Sequence, residues 1–266
     1  MQLSEEQLRR FDRDGFLVVA DFVPVNELET LRARASQIIA DFDPASASVF
    51  DTVDQGHAQD QYFLSSGDVV RCFLEDDGAT VNKIGHAMHD LDPVFEKFSY
   101  HERIQGLARQ LRFEQPQLLQ SMYILKSAGV GGEVVPHIDH SFLWTDPQTA
   151  TAFWFAIDDA TEENGCMWAV PGGHRTAPRN RFRRDGGGTV MEDLHDVPWP
   201  EEGWVPMPAT AGTLVMMHGQ LPHKSDHNHS DRQRHAFTLH VIDGVADYAP
   251  DNWLQRRPEL PLRNLV

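Results

Sequence analysis

Two residues near the middle of the chain have the types and spacing of a metal site. His137 and Asp139 form a His-x-Asp pair inside EVVPHIDHSFLW, a stretch rich in β-branched and aromatic residues that is typical of a β-strand. Alternate residues of a strand point to the same side of a sheet, so the imidazole and the carboxylate can reach one metal ion. Two histidines and one carboxylate are the ligands of oxygen-activating Fe(II) sites, which keep coordination positions open. The pair therefore predicts such a site, provided that a second histidine joins it.

The His-x-Asp spacing by itself is weak evidence, because a chain with 14 histidines and 40 acidic residues contains such pairs by chance. The spacing recurs at His229 and Asp231. This second pair lies in the polar run HKSDHNHSDR, which is typical of an exposed turn, whereas apolar residues flank the first pair. We therefore expect the metal site at His137 and Asp139.

The residues alone leave the third ligand open. The two candidates are His218, at the end of the strand-like run GTLVMMH, and His223, just beyond it. A single histidine in a strand is more often an ordinary core residue than a ligand. The surrounding sequence HGQLPHKS nevertheless favours a metal ligand in this region.

The elements that would position these residues change character near residue 117. Before it, helical patterns prevail: Ser4 can cap a helix in SEEQLRRF, and further helices are predicted around 78–99 and 102–112, with one short strand at 16–22. After it, short β-branched or aromatic runs are separated by turn residues. This order predicts helices packed on an antiparallel β-sandwich or barrel, which we expect to form a single domain.

One segment is basic although the chain as a whole is acidic. Residues 172–203 are rich in glycine, proline and arginine, and a loop of this length inside a compact domain is usually functional or disordered. A solvated loop that balances nearby acidic residues is the simpler interpretation. If the loop folds over the site, its arginines would suit a carboxylate or phosphate of the substrate. Substrate affinity would then depend on Arg179, Arg181, Arg183 and Arg184.

Composition and charge argue against several classes of protein. The formal charge is −17, from 40 acidic and 23 basic residues, and this balance opposes binding to the phosphates of nucleic acids. No run of 18 apolar residues is present, so we expect no membrane-spanning helix, and MQLSEEQLRR has no apolar segment of the secretory type. Cys72 and Cys166 cannot form a disulfide framework, which predicts a reducing, cytoplasmic location. The expected partner is a small-molecule substrate.

Several separate motifs follow one another along nearly the whole chain in the order found in a known family. They are DGFLVVADF, NKIGHAMHDLDPVF, QSMYILK, GGEVVPHIDHSFLWTDP, DATEENGCMWAVPGGH, HGQLPHKS, RHAFTLH and DNWLQ. In these motifs the chain resembles the phytanoyl-CoA dioxygenase (PhyH-like) family of 2-oxoglutarate oxygenases. Their number and order make this resemblance far more specific than the metal triad alone.

The resemblance implies a fold and a reaction. The fold would be a mainly β, double-stranded β-helix (jelly-roll, cupin-like) core with flanking α-helices, of which the N-terminal ones pack on one sheet. One domain is expected over residues 1–266, with a helical N-terminal part at 1–115, the jelly-roll core at 116–245 and a C-terminal tail at 246–266. The reaction would oxidise, and most simply hydroxylate, an unactivated C–H bond of a small molecule with Fe(II), 2-oxoglutarate and O2, releasing succinate and CO2.

The resemblance also implies the metal ligands. The family's ligands fall on His137, Asp139 and His223, and not on His218, so the first three are the expected catalytic centre. Relatives that halogenate lack the carboxylate ligand, and the presence of Asp139 therefore favours hydroxylation. The motif PGGH ends at His174, which we expect to be structural or to face the substrate rather than the metal.

The co-substrate contacts follow from the same resemblance. The family's arginine that pairs with the distal carboxylate of 2-oxoglutarate falls on Arg234, two residues before Ala236. Arg232 has the same parity along the strand and is the second candidate. A guanidinium fits this role because its forked donors match a carboxylate. The other expected contacts are Lys83, Met122 and Trp154. Each of these residues also has a simpler interpretation as an ordinary surface or core side chain.

Two other functions are compatible with the residues. One is a zinc-dependent hydrolase that uses the later histidines, since zinc favours tetrahedral, nitrogen-rich sites. Its ligands would come from His218, His223, His227 and His229. The other is a non-catalytic jelly-roll protein that binds 2-oxoglutarate or another small acid as a sensor, although a pure binding protein does not need open positions on iron.

Overall fold

The structure is a computed structural model that describes residues 2–46 and 61–266. Its helices are α1 (Glu5–Asp14), α2 (Val25–Ala40), α3 (Gln61–Leu64), α4 (Met88–Leu91), α5 (Pro93–Ser99) and α6 (Glu102–Gln110). Short 3₁₀ turns lie at Pro44–Ser46, Asp139–Ser141 and Gly173–Arg175. All the α-helices therefore precede the strand-rich part of the chain.

The first eight strands lead from the N-terminal part into the core. They are β1 (Phe16–Val19), β2 (Val70–Leu74), β3 (Val81–His86), β4 (Pro116–Lys126), β5 (Val134–His137), β6 (Thr145–Asp146), β7 (Thr151–Ala156) and β8 (Met167–Ala169). Eight more follow. They are β9 (Asn180–Asp185), β10 (Gly188–Asp193), β11 (Val205–Met207), β12 (Leu214–His218), β13 (His223–Ser225), β14 (Arg234–Asp243), β15 (Asp247–Tyr248) and β16 (Arg263–Asn264).

Two antiparallel sheets form the core. The large sheet has the order β1-β12-β7-β14-β4-β3-β2, with β16 added beside β4. The small sheet has the order β11-β8-β13-β5. Side chains from both sheets, among them Trp154, Met167 and Met217, belong to one buried cluster, so the sheets pack face to face. This arrangement of helices on a jelly-roll confirms the predicted fold class.

Side chains of the large sheet alternate between two environments. On β7, Phe153 and Phe155 pack with the helices, whereas Ala152, Trp154 and Ala156 belong to the cluster between the sheets. This alternation is the period of two that a strand imposes. One surface of the sheet is therefore the helix-facing surface, and the other is the inner surface.

The helix-facing surface is closed by aromatic side chains. The ring of Phe155 lies 5.1 Å from that of Phe98 on α5, edge to face, and 6.0 Å from that of Phe22. Phe237 on β14 lies 5.0 Å from Phe95, also on α5. These rings are almost completely buried, so they contribute strongly to burial of apolar surface.

Helix α1 begins and ends as its sequence indicates. The hydroxyl of Ser4 accepts the backbone N–H of Gln7, whose side chain in turn accepts the N–H of Ser4. This reciprocal pair is a capping box, and Glu5 and Glu6 lie in the first turn, where negative charge is favourable. Gly15 ends the helix with a φ of 81°, a conformation that costs glycine little. The predicted cap at Ser4 is confirmed.

The predicted helix around 78–99 is wrong in its first part. Residues Val81–His86 form β3, which pairs with β2 and β4 inside the large sheet. Helix α5 begins only at Pro93, where the carboxylate of Asp92 accepts two backbone N–H groups. The apolar residues of this segment fit either period, and pairing with neighbouring strands decides between them. The helix predicted at 102–112 is confirmed as α6.

The segment 172–203 is not a continuous loop. Strands β9 and β10 form a hairpin in which Arg183 pairs with Val190 and Arg181 with Glu192. The sequence of this hairpin shows little apolar alternation, because only a few of its residues, such as Phe182, pack into a hydrophobic cluster of the core.

The C-terminal tail is fixed to the N-terminal helices. Arg256 lies 3.0 Å from the fully buried carboxylate of Asp90 on α4, and Arg263 on β16 contacts the same carboxylate at 3.5 Å. Between the core and these anchors, Trp253 stacks on Phe63 of α3 with centroids 4.3 Å apart. The C-terminal tail and the N-terminal part therefore form one packed layer through Phe63 and Trp253. In the described residues, no helix is long and apolar enough to cross a lipid bilayer.

Candidate metal and co-substrate site

Adjacent strands of the small sheet bring two histidines together. His137 at the end of β5 pairs in register with His223 at the start of β13, and their ring centroids are 4.1 Å apart. Asp139 begins the 3₁₀ turn that follows β5, and its Oδ1 lies 3.8 Å from Nε2 of His137 and 3.6 Å from Nε2 of His223. The three ligand atoms all lie within 4.8 Å of one another.

The backbone orients both imidazoles toward a common point. Nδ1 of His137 lies 2.9 Å from the carbonyl oxygen of Val135, and Nδ1 of His223 lies 2.9 Å from that of Leu221. A carbonyl oxygen can only accept, so each Nδ1 carries the proton and each Nε2 keeps its lone pair. Metal-binding histidines are commonly held in this way.

Burial and neighbouring charges set the protonation states of the site. Burial lowers the pKa of His137 to about 4, and nearby His223 adds to this effect. Burial alone would raise the pKa of Asp139, but His223 and His240 outweigh it and hold that pKa well below its ordinary value. At neutral pH the site thus offers neutral imidazole at His137 and an ionised carboxylate at Asp139.

The donor set fits a divalent iron ion. Oδ2 of Asp139 is buried and accepts no hydrogen bond within the described residues, although Nε2 of His240 lies 3.3 Å away. A buried carboxylate oxygen without a partner is costly unless a cation compensates its charge. Two imidazole nitrogens and one carboxylate are the donors that Fe(II) oxygenases use.

The other histidines do not join this cluster. Among residues 2–46 and 61–266, the His137, Asp139 and His223 group is the one that meets the spacing of a metal site. Nδ1 of His218 accepts the backbone N–H of Gln220, and the ring lies 4.9 Å from that of His174. His227, with half of its side chain exposed, is near Glu133. The four-histidine zinc site is therefore not assembled in the structure.

A cavity of about 440 Å³ opens beside the three residues. This volume is typical of a small-molecule site. The expected ligands and co-substrate contacts all line it, and they are Lys83, Met122, His137, Asp139, Trp154, His223 and Arg234. Apolar side chains form most of the remaining wall, so much of the wall offers no hydrogen bonds to water.

Arg234 presents an incompletely paired guanidinium to this cavity. Its Nη2 donates to the hydroxyl of Ser225 at 3.2 Å, whereas Nε and Nη1 are buried without an acceptor in the described residues. Burial lowers the pKa of Arg234 to about 10, so the group stays cationic at neutral pH. A buried cation with free donors favours an anionic ligand, for which a carboxylate has the matching geometry. Arg232, by contrast, is exposed and does not line the cavity.

Lys83 reaches the cavity from a strand and not from a helix, as the sequence had suggested. It lies on β3 opposite Ile124, and its ammonium nitrogen is 4.9 Å from the ring centroid of Phe73. Burial holds its pKa well below the ordinary value. Met122 lies opposite Gly85 on the neighbouring strand β4, so the two side chains border the same part of the cavity.

Two features of the site were not predicted. Lys126 donates to the backbone carbonyl oxygens of Gly132, Ser225 and Asp226 at 2.6, 3.3 and 2.6 Å, which fixes β13 beside the end of β4. Burial lowers its pKa to about 7. His240 also lines the cavity, and its parity with Arg234 along β14 could have identified it.

The arginines of residues 172–203 have partners within the chain, so the expectation that they bind substrate is not supported. Arg183 donates to Glu192 at 2.8 Å, and Arg181 forms an ion pair with Asp251. Arg175 donates to Arg13, Arg179 to Pro198, and Arg184 to Leu64 and Trp253, in each case to a backbone carbonyl. The hairpin instead contributes Asn180, Phe182 and Met191 to the cavity wall.

Comparisons with known proteins find relatives over nearly the whole chain. The sequence model of the family described as "Phytanoyl-CoA dioxygenase (PhyH)" matches residues 11–236. Phytanoyl-CoA dioxygenase 1 of Oryza sativa subsp. japonica is 42% identical, with 98% of this chain and 97% of that protein covered. Phytanoyl-CoA dioxygenase domain-containing protein 1 of Bos taurus is 40% identical, with 97% of each chain covered.

Solved structures share the fold. The non-haem α-ketoglutarate-dependent carbocyclase SnoK has a TM-score of 0.70 at 22% identity, covering 94% of this chain and 87% of its own. EctD from S. alaskensis, solved with 2-oxoglutarate and 5-hydroxyectoine, has the same TM-score and identity, covering 96% and 84%. At such identities the likeness shows the fold alone.

Proposed function

We propose, given that this chain belongs to the phytanoyl-CoA dioxygenase family and is an Fe(II)- and 2-oxoglutarate-dependent dioxygenase, that it hydroxylates an unactivated C–H bond of a small organic molecule. Succinate and CO2 would be the products of the co-substrate. This is the reaction that the sequence resemblance predicts, and the geometry of the site supports it.

In this proposal His137, Asp139 and His223 hold the iron. The Nδ1 hydrogen bonds of both histidines keep their Nε2 atoms available, and the low pKa of Asp139 keeps its carboxylate ionised. Arg234 and Ser225 receive the distal carboxylate of 2-oxoglutarate, while Lys83, Met122 and Trp154 border the rest of that molecule.

Iron and 2-oxoglutarate, when bound, supply the oxidising power, with O2 as oxidant and loss of CO2 from the keto acid. The chain's own residues bind, orient and enclose the reactants. The packed inner surface around Trp154 excludes water, which strengthens the electrostatic interaction between Arg234 and a carboxylate. The small sheet fixes the ligand side chains from two paired strands, so their geometry is set before binding.

The observation that carries the proposal is the pairing of two unsatisfied groups in one cavity. A guanidinium with two unused donors and a carboxylate whose Oδ2 accepts no hydrogen bond within the described residues are both buried there. A cation alone would satisfy only Asp139, and an anion alone only Arg234. A metal together with a dicarboxylic keto acid satisfies both.

An anaerobic titration tests the proposal. Metal-free protein is titrated with Fe(II) and 2-oxoglutarate while visible absorption is recorded. We expect a weak charge-transfer band that requires both additions. His223→Ala should abolish the band, whereas His218→Ala, a substitution of the neighbouring histidine that does not line the cavity, should keep it.

The alternatives give different outcomes in the same experiment. Folded protein that binds metal but shows no band would contradict chelation of the keto acid. Zinc as the dominant metal in protein purified from metal-supplemented medium, measured before the metal is removed, would favour the hydrolase. A band without any succinate formation, across a broad set of small substrates, would favour the sensor. A band that survives in His223→Ala and disappears in His218→Ala would move the third ligand to His218.

A further inference from the structure

We propose, on the basis of the function above, that the substrate is a largely apolar molecule that has a hydroxyl group and no anionic group, and that His86 recognises the hydroxyl as a hydrogen-bond acceptor. His86 lies at the end of β3, lines the same cavity and is only 1% exposed. It has no part in holding the metal or the co-substrate in the mechanism described above.

Apolar rings form the part of the cavity wall around His86. Phe63 stacks on Trp253, and Phe142 lies 5.4 Å from Phe182 of the hairpin. Leu143, Met191 and Trp199 extend the same wall. A surface of this kind binds apolar groups because water leaves both partners.

The basic side chains of the cavity already have functions. Lys126 donates to three backbone carbonyl oxygens, and the proposed co-substrate uses Arg234 and Lys83. The hairpin arginines, such as Arg183, bind acceptors within the chain. An anionic substrate group would therefore be buried without a counter-charge, which is strongly unfavourable.

The hydrogen bonds of His86 define which of its nitrogens accepts. The hydroxyl of Ser66 lies 2.6 Å from the carbonyl oxygen of Phe63, to which it donates, and 2.8 Å from Nδ1 of His86. A hydroxyl has one proton to donate, so here it accepts from the Nδ1–H of the imidazole. Nε2 of His86 is then an unprotonated acceptor, and it has no hydrogen-bond partner within the described residues.

The ring of His86 cannot easily turn away or become charged. It packs against Phe73 at 5.4 Å and Trp253 at 5.1 Å, with Phe63 also in contact. Burial, aided by nearby Lys83, holds its pKa well below the ordinary value, so the imidazole stays neutral. It is therefore a fixed acceptor in an apolar wall.

The indole ring of Trp253 packs edge to face against His86, with ring centroids 5.1 Å apart. Nε1 of Trp253 is buried and has no acceptor within the described residues. A hydroxyl group can donate to Nε2 of His86 and accept from an N–H, whereas an ether can only accept. The juxtaposition of His86 and Trp253 therefore favours an alcohol or a phenol over its methyl ether.

The experiment compares two probes that differ by one donor. The holoenzyme with Fe(II) and 2-oxoglutarate is titrated anaerobically with 2-naphthol and with 2-methoxynaphthalene by calorimetry. We expect 2-naphthol to bind about tenfold more tightly, since the methyl ether leaves the buried acceptor unsatisfied. His86→Leu should remove this preference, and His86→Gln, which returns an acceptor, should restore part of it.

Two further variants keep the test informative. Ser66→Ala retains the imidazole but removes the group that fixes its tautomer, so it should reduce the preference even if His86→Leu does not fold. His227→Leu changes an exposed histidine outside the cavity and should leave the preference unchanged.

The results separate this inference from the proposed function. Equal binding of the two probes by the wild-type protein, binding of neither, or a preference that persists in both His86→Leu and Ser66→Ala would overturn the inference. In these cases the charge-transfer band of Fe(II) and 2-oxoglutarate would still report the proposed function. Loss of that band with a retained preference for 2-naphthol would contradict the function while leaving the recognition by His86 in place.

Discussion

The two surfaces of the large sheet use the same strands for opposite purposes. On the helix-facing surface, β7, β12 and β14 present Phe155, Met216 and Phe237, which belong to one dry core with the helices. On the inner surface the same strands present small or polar residues, such as Ala152 and His240, beside the larger Trp154. Side chains fill the space on the helix-facing surface, whereas the inner surface also borders the cavity.

This difference shows how a strand separates stability from chemistry. A phenylalanine at 155 and an alanine at 152 differ in parity, so each can suit its own surface without affecting the other. The inner surface also contains buried groups without partners, such as Oγ1 of Thr238 and Nε of Arg234. Such groups reduce stability and are retained where a ligand can satisfy them.

The largest effect should come from the inner surface. Asp139→Asn removes a metal ligand, and we expect succinate formation to fall by more than 100-fold, since even substitutions that only support a ligand cost about 10- to 100-fold. The free energy of unfolding of the metal-free protein at neutral pH should fall, because the lowered pKa of Asp139 means that its ionised carboxylate stabilises the folded state. Succinate assays and urea unfolding measure the two quantities. Near-normal turnover would contradict the assignment of the ligand.

The helix-facing surface should show the reverse pattern. Phe155→Ala should lower the free energy of unfolding by about 3–5 kcal/mol, because a fully buried ring is lost and a cavity remains. Fe(II) binding by the folded fraction should not change. Trp154→Phe, one residue earlier but on the inner surface, is the control: it should cost less stability and raise the KM for 2-oxoglutarate. Similar effects of both substitutions on stability and on KM would remove the distinction between the surfaces.

A smaller effect should distinguish the two candidate arginines. Arg234→Lys replaces the forked donor by a single ammonium, so the KM for 2-oxoglutarate should rise about 10- to 100-fold, as expected for a lost charge-assisted hydrogen bond of roughly 1.5–3 kcal/mol. Arg232→Lys, at the exposed position, should leave this KM unchanged. A rise in KM with Arg232→Lys alone would reverse the assignment.

The smallest expected effect is on how stability depends on pH, and it comes from His218 at the end of β12. Burial, with His174 nearby, lowers the pKa of His218 to about 4 from 6.5. The unfolded chain therefore takes up the proton first, so this contribution to stability is complete above pH 6.5 and is lost as the pH falls toward 4. In metal-free His218→Gln, this acid-induced loss should be smaller by about 1 kcal/mol, after allowance for partial exposure.

Unfolding in urea at pH 7.5 and pH 5 measures the effect of His218. The same variant should bind Fe(II) and 2-oxoglutarate as the wild type does. An unchanged dependence on pH would show that another group causes the acid sensitivity.

Local patterns predicted much of the fold and the position of the site. Ser4 as a cap, α6 and the strand that carries His137 all follow from composition, spacing and capping rules over a few residues. The choice of His223 over His218 required the family resemblance, because both lie near the end of the same strand run. The structure places only His223 opposite His137.

The features that were missed depend on distant neighbours. Lys83 lies in a segment whose apolar residues fit a helix, and only pairing with β2 and β4 makes it a strand. The hairpin that carries Phe182 has little apolar alternation, and its arginines find acceptors at residues far along the chain, such as Asp251. His86 gains its importance from Ser66 and Trp253, which no local pattern connects to it.

The anchored C-terminal tail has a consequence for biosynthesis. Proteins are made from the N-terminus, and the first parts of a domain leave the ribosome before the last. Phe63 is therefore synthesised long before its stacking partner Trp253, and Asp90 long before its ion-pair partner Arg256. A nascent chain can assemble both sheets up to β14 while the cavity still lacks this wall. The cavity is thus completed only after the sheets that hold the metal ligands, and a chain that ends before Trp253 would have the residues that hold iron without this part of the cavity wall.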